Sequence, residues 1–144
     1  MFQFPLEAFL KYRRQQEETE MYELSNRIRE MRQIQDDLKT IKARAANLTL
    51  ALQERTTATV TAPVIALYSN YLHNLRKLGL ATADEINRAQ TKVKRQREKL
   101  IKASVGRKII ERLKEGQLQA YIDEEARKEH KIFDEITTLK AGRK

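Results

Sequence analysis

The stretch Thr56-Thr57-Ala58-Thr59-Val60-Thr61-Ala62-Pro63 interrupts a chain that otherwise writes one pattern twice. From Met21 to Leu52 before it, and from Ile65 to Ala103 after it, apolar residues recur three and four positions apart. That spacing lines them up on one stripe of an α-helix. Two such stripes around a single break predict two long helices folded back on each other. The expected fold class is all-α, an antiparallel two-helix coiled-coil hairpin drawn out into a long rod. The expected organisation is a single hairpin over residues 1–144, with helix 1 at about 5–56, a loop at about 57–62 and helix 2 at about 63–139.

Composition supports this reading. Charged residues make up 34% of the chain and aromatics 6%, with only four Gly and two Pro. So few turn formers cannot punctuate a compact α/β or all-β fold. High charge with a sustained 3.5-residue period suits helices buried along one stripe, and the regular register argues against disorder. There is no Cys, hence no disulfide framework and no Cys-based zinc site, which agrees with a reducing compartment. The opening Met1-Phe2-Gln3-Phe4-Pro5-Leu6 lacks the basic and apolar segments of a secretory signal. No run approaches the roughly 18 apolar residues of a membrane span. A soluble, cytoplasmic protein is expected.

In the first helix the seam positions read Met21, Leu24, Ile28, Met31, Gln35, Leu38, Lys42, Ala45, Thr49 and Leu52. A parallel set, Ile34, Ile41 and Leu48, widens the stripe from Met31 onward. The apolar path 28-31-34-38-41-45-48-52 holds two consecutive three-residue steps, a stammer that overwinds a coiled coil or lets its seam drift. The widened stripe implies an extra packing partner near the loop, or apolar surface left for binding.

In the second helix the seam reads Ile65, Tyr68, Leu72, Leu75, Gly79, Thr82, Ile86, Ala89, Val93, Gln96, Leu100 and Ala103. Gly79 resembles a helix terminator, and Thr82-Ala83-Asp84-Glu85 matches a capping box that starts a new helix. The phase nevertheless passes through both unbroken, where a loop would reset it, and a Gly inside a helix costs only about 1 kcal/mol. One continuous helix is predicted, with Pro63 at its first position. Beyond Ala103 the pattern loosens at Val105-Gly106, resumes as Ile110, Leu113 and Gln117, then shifts to Leu118, Ile122, Ile132, Ile136 and Leu139. Glu125 and Glu129 occupy intervening seam positions. Antiparallel pairing about the loop matches positions that total about 118, so residues past about 115 have no first-helix partner. Helix 2 should be on the order of 110 Å long, with a C-terminal stretch that must fray, dimerise or dock.

Residues 88 to 114 carry eleven cations: Arg88, Lys92, Lys94, Arg95, Arg97, Lys99, Lys102, Arg107, Lys108, Arg112 and Lys114. Only Glu98 and Glu111 oppose them, so the band holds an excess of +9, equal to that of the whole chain. Glu17, Glu18, Glu20 and Glu23 fall opposite roughly 95 to 101 in the predicted register and should neutralise part of it. No aromatic residue is interleaved and no reading helix or RNA-binding signature is present, which favours an acidic protein partner over nucleic acid.

Nothing in the sequence assembles a catalyst. His73 and His130 lie far apart without companion ligands, and Ser25, Ser69 and Ser104 have no His within reach. Gly106-Arg107-Lys108 lacks the rest of a phosphate loop. Asp36-Asp37 and Glu124-Glu125 are adjacent on a helix and point apart. No catalytic residue, metal, cofactor or small-molecule substrate is expected. Apolar side chains gather instead at the two ends: Phe2, Phe4, Leu6, Phe9 and Leu10 at the termini, and Leu67, Tyr68, Tyr71, Leu72 and Leu75 near the loop. Leu6, Tyr68 and Leu72 are expected to cap the seam. A thin hairpin cannot bury all of Phe2, Phe4, Phe9, Leu67 and Tyr71, and the remainder is candidate binding surface.

The opening Phe2-Gln3-Phe4-Pro5-Leu6, with Leu10, Arg13 and Glu17-Glu18, resembles the start of the flagellar export protein FliJ family. So do Ala89-Gln90, Val93, Arg95 to Leu100, Glu111 to Lys114, Ala120-Tyr121 and Glu124 to Arg127. The resemblance implies a non-enzymatic component of the flagellar type III export apparatus, similar to the central stalk subunit of rotary ATPases. It implies as partners the hexameric export ATPase, which it would bind and activate, the membrane export gate protein and export chaperones. It places the chain in the cytoplasm, peripheral at the inner membrane at the flagellar basal body, serving flagellum assembly and through it motility and chemotaxis. Carried onto this chain, the gate contact falls on Ile41, Leu48, Tyr71 and Leu75. The ATPase contact falls on Phe4, Leu6, Arg13, Arg95, Arg97, Lys99, Arg112, Lys114 and Tyr121. Gly79 and Gly106 replace good helix formers of the family, and residues 54 to 66 resemble it least, so a bend at either Gly is open. The alternatives are the stalk protein of an injectisome and a basic structural or nucleic-acid-binding coiled coil.

Overall fold

A computed structural model of the chain describes residues 1–56 and 61–143, and these form two helices, α1 (Glu7–Thr56) and α2 (Ala62–Gly142). They pack against each other as an all-α hairpin. Most of the expected loop, residues 57–60, lies outside the described residues.

Both helices begin slightly off the expected positions, for local reasons. Pro5 and Leu6 form a turn in which the Glu7 amide donates to the Phe4 carbonyl at 3.2 Å. The Leu10 amide then donates to Leu6 at 2.9 Å, so Glu7 opens α1 and its carboxylate sits where the helix dipole favours an anion. In α2 the Val64 and Ile65 amides both donate to the Thr61 carbonyl, making Thr61 the cap residue. Pro63 is therefore the second helical residue rather than the first. It still falls among the amides that have no intrahelical partner, so its missing N–H costs nothing.

Contacts divide the chain into two units, Met1–Thr19 with Leu100–Lys144, and Glu20–Lys99. In the second unit the α2 stripe follows the predicted seam. Leu72, Leu75, Thr82, Ala89, Val93 and Gln96 are buried, and Ile65, Tyr68, Gly79 and Ile86 are half-buried. α2 is unbroken through Gly79, and none of the described residues has positive φ. Thr82, a plausible cap from sequence, is a seam residue whose hydroxyl donates to the Leu78 carbonyl at 2.8 Å. That bond satisfies the buried hydroxyl from within the helix, and because α2 is continuous here there are no orphan amides for Thr82 to cap.

The opposite stripe on α1 chooses between the two sets that the sequence offers. Ile34, Ile41 and Leu48 are half-buried with Leu24, Ile28, Met31, Leu38, Ala45 and Leu52, whereas Gln35 and Lys42 are exposed. The stammer is thus used: the seam drifts to keep apolar residues inside, because burying Gln35 or Lys42 unpaired costs more than overwinding. Met21 is 52% exposed, and Glu20 takes the seam position instead.

In the first unit Phe4, Leu10 and Ala103 are buried, and Leu10 is inaccessible to solvent. Leu6 does not cap the seam. It is 40% exposed, since the turn at Pro5 carries Phe4 inward in its place. Past Ala103 the stripe keeps its phase through Arg107, Ile110 and Lys114, all half-buried, rather than moving to Leu113 and Gln117, which are exposed. Beyond Tyr121 the helix continues to Gly142, with Ile122, Ile132, Phe133, Ile136 and Leu139 exposed.

Cross-helix contacts fix the register. Glu20 meets Gln96, Arg55 lies over Tyr68, Glu17 meets Arg107, Glu7 meets Lys114, and Phe2 meets Tyr121. Paired numbers total between 116 and 124, centred a little beyond the expected 118. Glu7 at the start of α1 meets Lys114, and the segment ahead of α1 extends the pairing past the expected limit of about residue 115, to Tyr121.

Candidate functional site

Three features stand out; the first two each lie within one unit, and the third is a run of basic residues whose members are divided between the units. The first gathers the N-terminal segment and the start of α1 with residues 107–121 of α2, all in unit one. The Phe2 and Tyr121 rings meet at 5.6 Å between centroids, and Lys114 Nζ pairs with Glu7 at 2.8 Å. Next to them Arg107 donates through Nε to Glu17 and through Nη1 to Glu111 at 2.6 Å, and Arg14 reaches the other oxygen of Glu111 at 3.4 Å. The Glu17 hydrogen bond first, then that of Glu111, raises the Arg107 pKa above its ordinary value. The hydrogen bond from Arg107 holds the Glu111 carboxyl below its ordinary range. This network was missed from sequence, although counting the 3-4 spacing past Ala103 lands on Arg107.

Arg13 lies along α2 at Gly106. Its guanidinium sits 4.9 Å from the Phe9 ring centroid, and a Cβ at Gly106 would stand 3.1 Å from its Nη1. Nη1 also donates to Gln16 at 3.4 Å, while the buried Nε has no hydrogen-bond partner. Gly106 therefore produces no break in α2; it provides the space in which Arg13 crosses the seam.

The second surface is a groove of about 500 Å³ in unit two. Leu38, Ile41 and Ala45 of α1 and Leu75, Gly79, Leu80 and Ala83 of α2 line it, with Lys42 and Arg76 at the rim. Its floor exists because Gly79 has no side chain: a Cβ there would be 3.6 Å from Ile41 Cγ2 and 4.0 Å from Leu38 Cδ1. Exposed Leu67, Tyr71, Leu78 and Leu80 lie on the same stretch of α2.

The third is the basic band. Only Arg107 and Lys114 of its eleven cations form ion pairs among the described residues. The other nine are exposed, so the acidic residues of α1 neutralise far less of the band than their register suggested. Glu17 is carried to Arg107 and Glu20 is held by Gln96, whose Nε2 donates to the Glu20 carboxylate and, at 3.1 Å, to its carbonyl.

Of the residues carried over for a gate contact, Ile41 and Leu48 are half-buried, Tyr71 is half exposed, and Leu75 is buried as a groove wall. Of those for an ATPase contact, Phe4 is buried, Arg13, Lys114 and Tyr121 are half-buried, and Leu6, Arg95, Arg97, Lys99 and Arg112 are exposed. Phe4, Leu6, Arg13, Arg112, Lys114 and Tyr121 fall in unit one, and Arg95, Arg97 and Lys99 in unit two. Among the described residues no helix is long and apolar enough to cross a membrane, and no cluster of three or more His, Asp or Glu is placed to hold a metal.

Among protein-family models, the flagellar FliJ protein family matches the chain over residues 2–144. No curated protein and no solved structure matches it.

Proposed function

Because the chain belongs to the FliJ family of flagellar export proteins, we propose that it is a non-enzymatic stalk of the flagellar type III export apparatus. In this reading it binds and activates the hexameric export ATPase, links it to the membrane export gate and escorts export chaperones. It works in the cytoplasm, peripheral at the inner membrane, and supports motility and chemotaxis through flagellum assembly. The observation that carries the ATPase contact is the helix beyond Tyr121, which exposes Ile122, Ile132, Ile136 and Leu139 at seam positions that they share with Glu125 and Glu129, and Phe133 beside them. A stripe with coiled-coil spacing and no covering helix is surface suited to a partner. Leu6, Tyr121 and Arg112 of the same unit are accessible to that partner, whereas Phe4 and Arg13 act by shaping the terminal cluster.

The gate contact uses Ile41, Leu48 and Tyr71, with Leu75 contributing through the groove wall. The flagellar description of the matching family favours this system over an injectisome stalk. The test is ATP hydrolysis by the cognate export ATPase with and without the purified chain. Stimulation that is lost in an Ile132→Glu, Ile136→Glu variant of unchanged helicity supports the reading. Absence of both binding and stimulation by the native chain refutes it.

A further inference from the structure

Arg88, Lys92, Arg95 and Lys99 follow one another at steps of four, three and four residues, all exposed and all within unit two. On a helix this spacing places them in one row about 16 Å long, on a single flank of α2 beside its seam residues Ala89, Val93 and Gln96. Lys94 and Arg97 fall on the other flank. The row has no internal compensation. None of its four cations forms an ion pair among the described residues, while Glu20 is engaged by Gln96 and Glu30 by Arg27. Like charges three and four residues apart repel, so the fold does not need this row.

We infer that the row is a docking face for an acidic helix of a partner protein, one that presents carboxylates at matching three- and four-residue spacing. The surroundings select among anionic partners. Between residues 81 and 100 no large hydrophobic side chain is exposed, so the flank has nothing to insert into a lipid surface. No Phe, Tyr or Trp occurs between Tyr71 and Tyr121, and no His lies within the row, so unpaired bases have nothing to stack on there. α2 is packed against α1 along this stretch, which leaves it unable to enter a major groove as a single helix does. A row of point charges at helical spacing, by contrast, complements a second helix and fixes its register. The inference names the chemistry of the partner face and stands whether or not the partner is an export component.

The test uses the full chain and, as probe, an alanine-based helical peptide of about 20 residues with four Glu at 4-3-4 spacing. A scrambled peptide of equal composition, duplex DNA and phosphatidylserine vesicles serve as competitors. Binding of the spaced peptide about tenfold tighter than the scrambled one is expected, weakening as salt rises to about 200 mM. Charge reversal of Arg88, Lys92, Arg95 and Lys99 to Glu should abolish that preference. The same reversal at Lys39, Lys77, Lys94 and Arg97, which changes net charge equally, should retain it. Equal affinity for both peptides, or equal loss in both variants, would overturn the inference in favour of diffuse attraction. Preference for DNA or vesicles that depends on the four residues would overturn it in favour of that anion.

Discussion

Replacing Gly79 by Ala should stabilise the hairpin, because the fold leaves room for a methyl group where the sequence places the poorest helix former other than Pro. Two terms add. In a helix interior Ala is favoured over Gly by about 0.8–1.0 kcal/mol, since glycine loses more backbone freedom on folding. The new Cβ would also stand in ordinary contact with Ile41 and Leu38, at 3.6 and 4.0 Å, and displace water from the floor of the groove. A fully buried methylene contributes about 0.8 kcal/mol, and at this half-buried position about half of that is expected. The sum is about 1.2–1.4 kcal/mol of added stability, read as a rise in the urea midpoint at unchanged slope. Circular dichroism at 222 nm follows the transition. Gly79→Pro, which removes an amide and clashes with the preceding turn, should instead cost about 3 kcal/mol or more. An Ala variant that is neutral or destabilised would refute the reasoning, since it would mean that α2 is bent at Gly79 or that the groove is closed.

Gly106→Ala gains the same backbone term but places its Cβ 3.1 Å from Arg13 Nη1, so it should stabilise less than Gly79→Ala in the same urea experiment. Leu10→Ala empties the one fully inaccessible apolar position of the terminal cluster and should cost about 2–3 kcal/mol, with helix content retained at low denaturant. Glu111 is held below the ordinary carboxylate range by Arg107, so its contribution to stability is complete above that range and is lost as pH falls through the depressed value. Thermal melts from pH 6 down to about pH 3 should therefore show a fall in the native chain that is shallower in Glu111→Gln. Arg107→Met removes the shared partner of Glu17 and Glu111 and should flatten the same profile.

Fold class, the break between helices, the seam of α2 from Ile65 to Ala103 and its continuity through Gly79 were all legible in the sequence. Each is a statement about periodicity along one chain, and helical geometry converts spacing directly into a shared face. The exposed flank of α2 is legible for the same reason, once Arg88, Lys92, Arg95 and Lys99 are counted at helical steps. The resemblance to flagellar export proteins was also carried by local motifs and is matched over residues 2–144.

Tertiary structure decided what periodicity leaves degenerate. Two stripes on α1 were available, and only the facing helix selected Ile34, Ile41 and Leu48 over Gln35 and Lys42, because a wrong choice buries polar groups without partners. The offset between helices followed from specific pairs, Glu20 with Gln96 and Glu17 with Arg107; the first holds Glu20 on an uncharged partner, and the second confines Glu17 to one cation of the basic band. The groove at Gly79 and the passage of Arg13 across Gly106 exist only between two helices, since an absent side chain makes space only where a neighbour stands opposite. Spacing along one helix says which residues share a face; what that face meets is set by the contacts of the other.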